Sequence, residues 1–472
     1  MGRLHWPCFA RHSMQKDKMT EDKIRRSESA LPVQVVGLLS TIEEHGYEAY
    51  VVGGAVRDLL LGESPEDYDV TTSATPEEVQ MIFGEKACHL TGLSHGTITV
   101  VIDHYPIEVT TFRVESTYSD ARHPDEVHFT RSLQEDVKRR DFTINAMAMD
   151  ARGNILDYCG GKEDLERGII RTVGDPKQRF EEDALRILRA LRFASEHGFA
   201  IEDETAREIL AQKQALTRLS AERIWKEFSR LICGMYCVPI LRRYFDVFTV
   251  FIPELAPMQG FDQRNPHHIY DVWEHTLVSV ISVQPELILR LTMLLHDVGK
   301  PACFTTDEDG VGHFLGHMRI SAEMADAILR RLKVDNETRE TTVLLIKAHD
   351  VAMTPVSIRI IRRRLAQYGE TNLRRLLEVK RADTMAHSPK SAYRLIELDH
   401  FEELLDKVLE EKMCFSFDEL AITGKDLIRI GMKPGVGIGQ VKKQLLNEVI
   451  DGQLQNEKEI LLARAQELRK TL

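Results

Sequence analysis

A chain of 472 residues exceeds what one hydrophobic core usually supports, so several domains are expected. Its 43% hydrophobic and 29% charged residues are typical of a globular protein, and no apolar run is long enough to span a membrane. The formal net charge of −12 argues against general affinity for nucleic acid, but it leaves room for a local basic groove.

The first thirty residues mix Arg, Lys and Glu and lack the apolar core of a secretory signal. Met14 and Met19 also allow a later start, so residues 1–30 are expected to form a disordered leader. The seven cysteines are scattered and contain no C-x-x-C pair, which favours a reducing, cytoplasmic location over a zinc cluster.

The N-terminal third has the pattern of an α/β domain. Residues 49–52 (AYVV) predict a short strand before a Gly-Gly turn, and further strands are expected at 97–102 and 106–112. Residues 141–150 (DFTINAMAMD) are expected to enter a helix. From Arg179 onward the pattern is helical at almost every step, which predicts a long all-helical part. Three prolines make 253–266 the best candidate for a linker.

A strand, the turn Gly53-Gly54 and a helix start precede an Asp-x-Asp in VVGGAVRDLLLGESPEDYDV. Glycines lack Cβ, so their N–H groups can approach an anion at the helix N-terminus. In an extended segment Asp67 and Asp69 project to the same side. With Glu108 from a neighbouring strand, they would form an oxygen-rich site for Mg²⁺ that activates a hydroxyl and neutralises a departing pyrophosphate. Either motif alone is more often a plain turn, whereas their joint occurrence favours the site.

This stretch resembles the signature of the DNA polymerase β-like nucleotidyltransferases, in particular the class II branch of bacterial tRNA CCA-adding enzymes and poly(A) polymerases. The similarity continues through EVTTFR, RRDFTINAMA and LSAERIWKE, over roughly residues 32–230. It implies that Asp67 and Asp69 are catalytic Mg²⁺ ligands. It also implies nucleotide-binding roles for further residues: Arg57 and Asp58 in the phosphate-binding turn, and Arg140 and Asp141 at the ribose and triphosphate.

In EEDALRILRALRF, Asp183, Arg186 and Arg189 recur every three residues and are expected on one helix face. The residues alone favour a surface Asp–Arg pair. The resemblance places the nucleotide-selecting E-D-x-x-R motif here. Cytosine and adenine both present an amino donor beside a ring-nitrogen acceptor, which match a carboxylate and a guanidinium. Asp183 and Arg186 would thus admit CTP and ATP and reject UTP and GTP.

The resemblance favours CCA addition over poly(A) addition. LSHGTITVVIDHYPIEVTTFR is similar to the CCA-adding pattern, and the basic run associated with poly(A) polymerases is missing. The loop 116–129 (STYSDARHPDEVHF), which in this family accompanies the switch from C to A addition, is present. Poly(A) or A-only addition stays open as an alternative.

Histidines and aspartates later in the chain resemble the ligands of the HD phosphohydrolase superfamily. His275, the pair His296-Asp297 in LLHDVGKP, and Asp383 follow its order. His317 and His349 lie where two-metal members carry additional ligands. Imidazole and carboxylate together suit a divalent metal, whose identity the sequence leaves open. The resemblance leaves open whether this site hydrolyses a phosphate ester or serves only as a scaffold. For the whole chain, an alternative from another functional class is a hydrolase whose N-terminal domain only binds nucleotide.

Segment 357–381 holds eight Arg or Lys against two Glu, which predicts a basic face for tRNA phosphates or a solvated helix pair. TGKDLIRIGMKPGVGIG (423–439) resembles the C-terminal portion of HD-bearing CCA-adding enzymes. The leading prediction is CCA addition to tRNA from CTP and ATP, with Mg²⁺ as cofactor and a possible accessory phosphohydrolase. The expected segments are a leader at 1–30, a nucleotidyltransferase head at 31–150, a helical neck and body at 151–260, an HD domain at 261–390 and a tRNA-binding helical tail at 391–472.

Overall fold

The computed structural model describes residues 31–92, 96–115 and 127–470. The expected leader 1–30 lies outside the described residues, as does most of the loop 116–129. The chain divides into two compact units, the first ending at Tyr236 and the second beginning at Cys237. The finer five-part division stays a prediction.

A mixed β-sheet forms the centre of the first unit. The strands of this unit are β1 (Ala49–Val52), β2 (Asp69–Thr72), β3 (Cys88–Gly92), β4 (Thr97–Ile102), β5 (Tyr105–Thr111), β6 (Arg113–Glu115), β7 (Val127–Phe129), β8 (Met147–Met149), β9 (Ile155–Asp157), β10 (Ile169–Ile170) and β11 (Ala200–Ile201). Seven of them form the sheet in the order β3-β4-β5-β2-β1-β8-β9, where β2 and β5 are parallel and the other neighbours antiparallel. β-Branched residues make up all of β4, most of β5 and half of β1, which favours extended chain.

The strands predicted at 49–52, 97–102 and 106–112 are confirmed to within one residue. The helix expected within 141–150 is wrong. A single 3-10 turn at Thr143–Asn145 leads into β8, whose three residues are all buried. Because β8 pairs with β1 on one side and β9 on the other, tertiary hydrogen bonding overrides the local preference.

Helices surround this sheet and continue beyond it in the first unit. They are α1 (Val33–Glu44), α2 (Gly54–Leu61), α3 (Pro76–Phe83), α4 (Leu133–Lys138), α5 (Gly161–Arg167), α6 (Pro176–Glu182), α7 (Leu185–His197), α8 (Asp203–Ala211) and α9 (Ala221–Cys233). Helix α7 buries most of its side chains and packs against α9. This pair of helices brings charged residues of α9 next to those of α7.

The second unit is helical apart from the two-residue strands β12 (Thr305–Thr306) and β13 (Gly312–His313). Its helices are α10 (Cys237–Arg243), α11 (Phe245–Phe248), α12 (Val272–Ile281), α13 (Leu287–Leu295), α14 (His317–Arg331), α15 (Asn336–Ala348), α16 (Ile358–Met385), α17 (Tyr393–Glu410), α18 (Gly424–Arg429), α19 (Val436–Ile450) and α20 (Lys458–Arg469). One hydrophobic cluster joins α15, α16 and α17, and another joins α18, α19 and α20. Helix α16 is interrupted at Gly369, where φ is 71°.

The proline-rich segment 253–266 is not an exposed linker. Pro253–Met258 forms a 3-10 turn inside the second unit, and Leu255 and Met258 are fully buried. The prolines therefore shape a packed turn, and the chain divides earlier, after Tyr236.

The predicted fold class, an α/β head followed by a helical remainder, is confirmed. Within the described stretches, no helix combines the length and the apolar character that crossing a bilayer requires.

Candidate active site and candidate metal centre

Three carboxylates lie near one another where β2 and β5 run in parallel. Asp69 is the first residue of β2 and sits opposite Glu108 of β5, while Asp67 precedes β2 by two residues. All three side chains reach solvent. Partial burial, together with the negative charges of Asp67 and Glu108, raises the pKa of Asp69 to about 6. An oxygen-only group with excess negative charge fits Mg²⁺.

The Gly-Gly turn packs against basic side chains. Gly53 has φ of 75°, which a residue with Cβ rarely adopts, and a Cβ there would lie 3.5 Å from Nη1 of Arg140. Arg57, one turn into α2, donates from Nη1 to Oδ1 of Asn145 at 2.9 Å and from Nε to Oδ1 of Asp58 at 2.9 Å. The turn thus presents backbone N–H groups and two guanidinium groups, as binding of a triphosphate requires.

Arg140 is held by a carboxylate that the sequence analysis did not single out. Asp136 is fully buried and accepts from Arg139 at 2.9 Å and, more weakly, from Arg140 at 3.5 Å. The Nε of Arg140 is buried and has no hydrogen-bond partner among the described residues. This donor is available to an acceptor that enters the site.

Asp141 is fixed from two directions. Its Oδ2 accepts from Nε of Arg189 at 2.7 Å, and its Oδ1 accepts from Nδ2 of Asn145 at 3.2 Å. Burial raises the pKa of Asp141, but the Arg189 guanidinium and the Asn145 amide outweigh burial and lower it to about 2. Asn145 also contacts Arg57, so it connects the predicted phosphate-binding and ribose-binding residues.

The expectation that Asp183, Arg186 and Arg189 share one helix face is wrong for Asp183. Helix α6 ends at Glu182 and α7 begins at Leu185, so Asp183 lies in the extended break between them. Its Oδ1 accepts from the backbone N of Leu185 at 3.0 Å, a local bond that competes with helix continuation. Arg186 and Arg189 do lie in α7.

Arg186 is buried, and hydrogen bonds to protein acceptors fix the plane of its guanidinium group. Nη1 donates to Oε2 of Glu182 at 2.7 Å and to the carbonyl of Arg179 at 3.1 Å, and Nη2 donates to the carbonyl of Arg139 at 3.0 Å. Three of its five N–H groups are thereby used by the described residues, which leaves two for a base.

Helix α9 supplies two partners that sequence reasoning missed. Arg223 donates from Nη2 to Oδ2 of Asp183 at 2.8 Å. Glu227, which is buried, accepts from Nε of Arg192 at 2.6 Å and lies 3.7 Å from Nη1 of Arg189. The signal was present in LSAERIWKE, where charged residues four apart share a helix face.

In the second unit, three helices bring the four predicted HD ligands together. His275 lies in α12, His296-Asp297 follows α13, and Asp383 lies near the end of α16. Nε2 of His275 lies 3.0 Å from Oδ1 of Asp383 and 3.4 Å from Oδ2 of Asp297. Nε2 of His296 lies 3.2 Å from the same Asp297 oxygen. We name these four residues the first ligand set.

A second ligand set consists of Asp297, His317 and His349. Nε2 of His317 lies 3.1 Å from Nε2 of His349 and 3.6 Å from Oδ1 of Asp297. Lys300 Nζ forms an ion pair with Oδ2 of Asp297 at 2.7 Å, and neither of the two buried Asp297 oxygens accepts a hydrogen bond from the described residues. Asp297 therefore faces both sets, and its orphaned oxygens fit a metal ion.

Each of the four imidazoles turns its Nδ1 toward a backbone carbonyl. The pairs are His275 with Ala386 at 3.3 Å, His296 with Met293 at 2.7 Å, His317 with Phe314 at 2.9 Å and His349 with Ile346 at 2.7 Å. A carbonyl only accepts, so Nδ1 carries a proton in each ring, and Nε2 offers a lone pair wherever the ring is neutral. Carbonyls of this kind orient metal-binding histidines, and the mixed imidazole and carboxylate sets fit divalent metals.

The protonation of this centre reflects its buried carboxylates. Burial lowers the pKa of His296, but Asp297 and Asp383 outweigh burial and raise it to about 10. Burial lowers the pKa of His349 to about 3. A proton on His296 balances the two carboxylates in the metal-free protein, and a divalent cation would replace it.

The basic face predicted within 357–381 is largely paired with acids from other helices. Arg359 and Arg363 both contact Asp451, which follows α19. Arg375 contacts Glu286, and Arg374 and Arg381 contact acids of α17. The excess positive charge counted along the segment is therefore reduced in the fold.

Comparison with known proteins gives matches along most of the chain. A family described as poly A polymerase head domain matches residues 49–171, one described as probable RNA and SrmB-binding site of polymerase A matches 198–259, and one described as tRNA nucleotidyltransferase domain 2 matches 303–465. None of the three descriptions names an HD domain.

Relatives of similar length support these matches. The CCA-adding enzyme of Lactobacillus helveticus is 35% identical over 426 residues, covering 90% of this chain and 94% of the relative. That of Limosilactobacillus reuteri is 33% identical over 439 residues, covering 92% and 96%. The crystal structure of the Bacillus stearothermophilus CCA-adding enzyme in complex with CTP has a TM-score of 0.69 and 31% identity, covering 93% of this chain and 97% of that one.

Proposed function

The chain belongs to the family of CCA-adding enzymes, and on this premise we propose which of its residues add CCA to the 3′ end of tRNA. The reaction is a nucleotidyl transfer that takes CTP and ATP and depends on a divalent metal. The observation that carries the assignment is the register of Asp69 against Glu108, beside Arg140 and Asp141.

Asp67 and Asp69 are the proposed Mg²⁺ ligands, with Glu108 as the third carboxylate. Bound there, Mg²⁺ would activate the tRNA hydroxyl and neutralise the departing pyrophosphate. The protein contributes position: the Gly53-Gly54 backbone and the half-buried side chain of Arg140 face the triphosphate. Asp141, charged because of Arg189 and Asn145, accepts from a ribose hydroxyl.

Asp183 and Arg186 are the proposed base-selecting pair. Asp183 accepts from the exocyclic amino group of cytosine or adenine, and Arg186 donates to the adjacent ring nitrogen. Uracil and guanine present a carbonyl and a ring N–H there, so both contacts become repulsive. Arg223 and Glu182 hold the pair in place before the base arrives.

The tail is proposed to bind tRNA. The glycine-rich turn between α18 and α19 contains Gly435, with φ of 147°, and Val436 is 80% exposed. Backbone N–H groups at the start of α19 would contact phosphates. The exposed parts of Arg359 and Arg363, which pair with Asp451 at the other end of α19, are proposed as further phosphate contacts.

The test uses tRNA that ends at the discriminator base, Mg²⁺ and labelled CTP or ATP. We expect two C and one A to be added and no further residues. Unlimited or A-only addition would favour the alternative, and no addition would favour a hydrolase that only binds nucleotide. Asp69→Asn should lose addition by on the order of 10²-fold or more. Asp103→Asn, in the β4–β5 turn where φ is 48°, is the matched control.

A second function, metal-dependent phosphohydrolysis, is favoured by the two ligand sets that share Asp297. Such an arrangement suits activation of water against a phosphate ester. Hydrolysis of bis(p-nitrophenyl) phosphate by metal-loaded protein, abolished by a chelator and restored by added metal, is the expected result. If the protein binds the metal but hydrolyses neither a phosphodiester nor a phosphomonoester, this region serves only as a scaffold.

A further inference from the structure

Helix α15 ends directly at a proposed metal ligand. Its last residue is Ala348, and His349 is the capping residue that follows, 3% exposed. Carbonyls at a helix C-terminus lack intrahelical partners, and such ends fray unless other groups bind them. The carbonyl of Ile346 accepts from His349 Nδ1, so the ring orientation depends on the last turn staying wound.

A lysine from another helix binds this helix end. Lys380 in α16 donates from Nζ to the carbonyl oxygen of His349 at 3.0 Å. A cation at a helix C-terminus also interacts favourably with the helix dipole. Lys380 lies one helical turn before Asp383 of the first ligand set. Helix α16 therefore carries the proposed ligand Asp383 and also binds the end of helix α15, where the proposed ligand His349 lies.

The first half of α16 binds the same loop. Arg364 donates from Nη2 to the carbonyl of Ala352 at 2.7 Å, three residues beyond His349. The break at Gly369 lies between the two cations, and the chain changes direction there.

We infer that Lys380 is a positioning residue for the second ligand set, supported by Arg364: the two side chains hold residues 349–352 so that His349 faces His317 and Asp297. This inference rests on the metal centre proposed above. Lys380 makes no hydrogen bond to a ligand atom of the first set and acts on Asp383 only through its charge, so loss of its hydrogen bond to the His349 carbonyl falls on the second set.

The test is Co²⁺ binding to the full chain by equilibrium dialysis and visible absorption, in excess Mg²⁺ to occupy oxygen-ligand sites. Wild type should bind two Co²⁺. Lys380→Met should keep one at wild-type affinity and bind the other 10–100-fold more weakly, the usual effect of losing a partner that orients a ligand. Lys380→Arg, which can still donate to the carbonyl, should restore two.

Arg381→Met is the matched control, because Arg381 contacts Asp399 and Glu402 of α17 instead of the 349–352 loop. CTP incorporation by every variant reports that the first unit is intact. Equal affinity for two Co²⁺ in Lys380→Met, or equal loss of both ions, would overturn the inference while leaving the metal centre proposed. Wild type that binds no Co²⁺ would overturn both.

Discussion

At the residue scale, the proposed base selection would depend on groups that the fold has already oriented. Arg186 uses three N–H groups on protein acceptors, and Asp183 is held by Arg223. A side chain fixed in this way loses little conformational entropy when the base arrives, so a wrong base meets an unyielding donor and acceptor.

Arg186→Ala should lose nucleotide preference more than it loses metal binding. A bidentate contact of this kind discriminates by about 1–3 kcal/mol, so the ratio of kcat/KM for CTP over UTP should fall about 10–100-fold. Single-nucleotide incorporation with each of the four triphosphates measures the ratio. Arg207→Ala, on the exposed face of α8, is the control. Retained discrimination in Arg186→Ala would refute the assignment.

Asp141 should make stability depend on pH. Its pKa of about 2 in the folded protein lies below the ordinary value of 3.8, because Arg189 and Asn145 favour the charged form. The charged carboxylate therefore stabilises the fold above pH 4, and that contribution is lost as pH falls toward 2.

The expected difference in the free energy of unfolding between wild type and Asp141→Asn is about 2 kcal/mol at pH 7. Urea unfolding from pH 7 down to pH 3 should show the difference shrinking below pH 4. A difference that stays constant with pH would mean that Asp141 is not held in its charged form.

At the element scale, breaks in helices place functional groups as much as the helices do. The break after α6 puts Asp183 outside the helix that carries Arg186. A periodic pattern in the sequence does not reveal such a break, because Asp183 keeps the spacing of a helix face while its side chain binds the backbone of Leu185.

Gly369→Ala should destabilise the second unit. An L-residue at φ of 71° and ψ of 167° costs about 1–3 kcal/mol, although Ala otherwise favours helix. Gly37→Ala is the matched control, since Gly37 lies inside α1 with open space around it and should gain about 0.5–1 kcal/mol. Urea unfolding should show a lower free energy of unfolding for Gly369→Ala and a higher one for Gly37→Ala. A higher free energy of unfolding in Gly369→Ala would contradict the strained geometry.

The positions of strands were easier to predict from the sequence than the net charge of the surface formed by residues 357–381. Runs such as TITVVI carry their own extended preference, so β4 was found directly. The neutralisation of Arg359 and Arg363 by Asp451 could not be predicted, because the acid lies about ninety residues away along the chain and meets them only in the folded unit.

At the scale of the whole molecule, the two proposed centres belong to different compact units. The carboxylate group lies before Tyr236 and both ligand sets lie after Cys237. Asp297→Asn should therefore abolish metal-dependent phosphodiester hydrolysis and leave CTP and ATP incorporation within about twofold of wild type. Parallel assays on one preparation measure both, and Asp307→Asn, in the β12–β13 hairpin, is the control. Loss of CCA addition in Asp297→Asn would show that the two centres are coupled.

The sequence predicted which carboxylates and histidines lie together in each proposed centre, because those residue types are chemically distinctive. It did not predict Asp136, Asn145, Arg223 or Glu227, which act by holding other side chains. Their partners lie on separate elements, and common residue types at such positions carry no pattern until the fold brings them together.

The four imidazoles of the second unit are oriented by backbone carbonyls, three of them belonging to the residue three positions earlier. A main-chain oxygen is the same whatever side chain its residue carries. Substitutions at Met293, Phe314 or Ile346 therefore leave the tautomer of each histidine unchanged, provided the backbone at each carbonyl keeps its path. The proton arrangement of this centre is inherited with the backbone path, so the surrounding side chains can diverge without altering which ring nitrogen faces the proposed metal site.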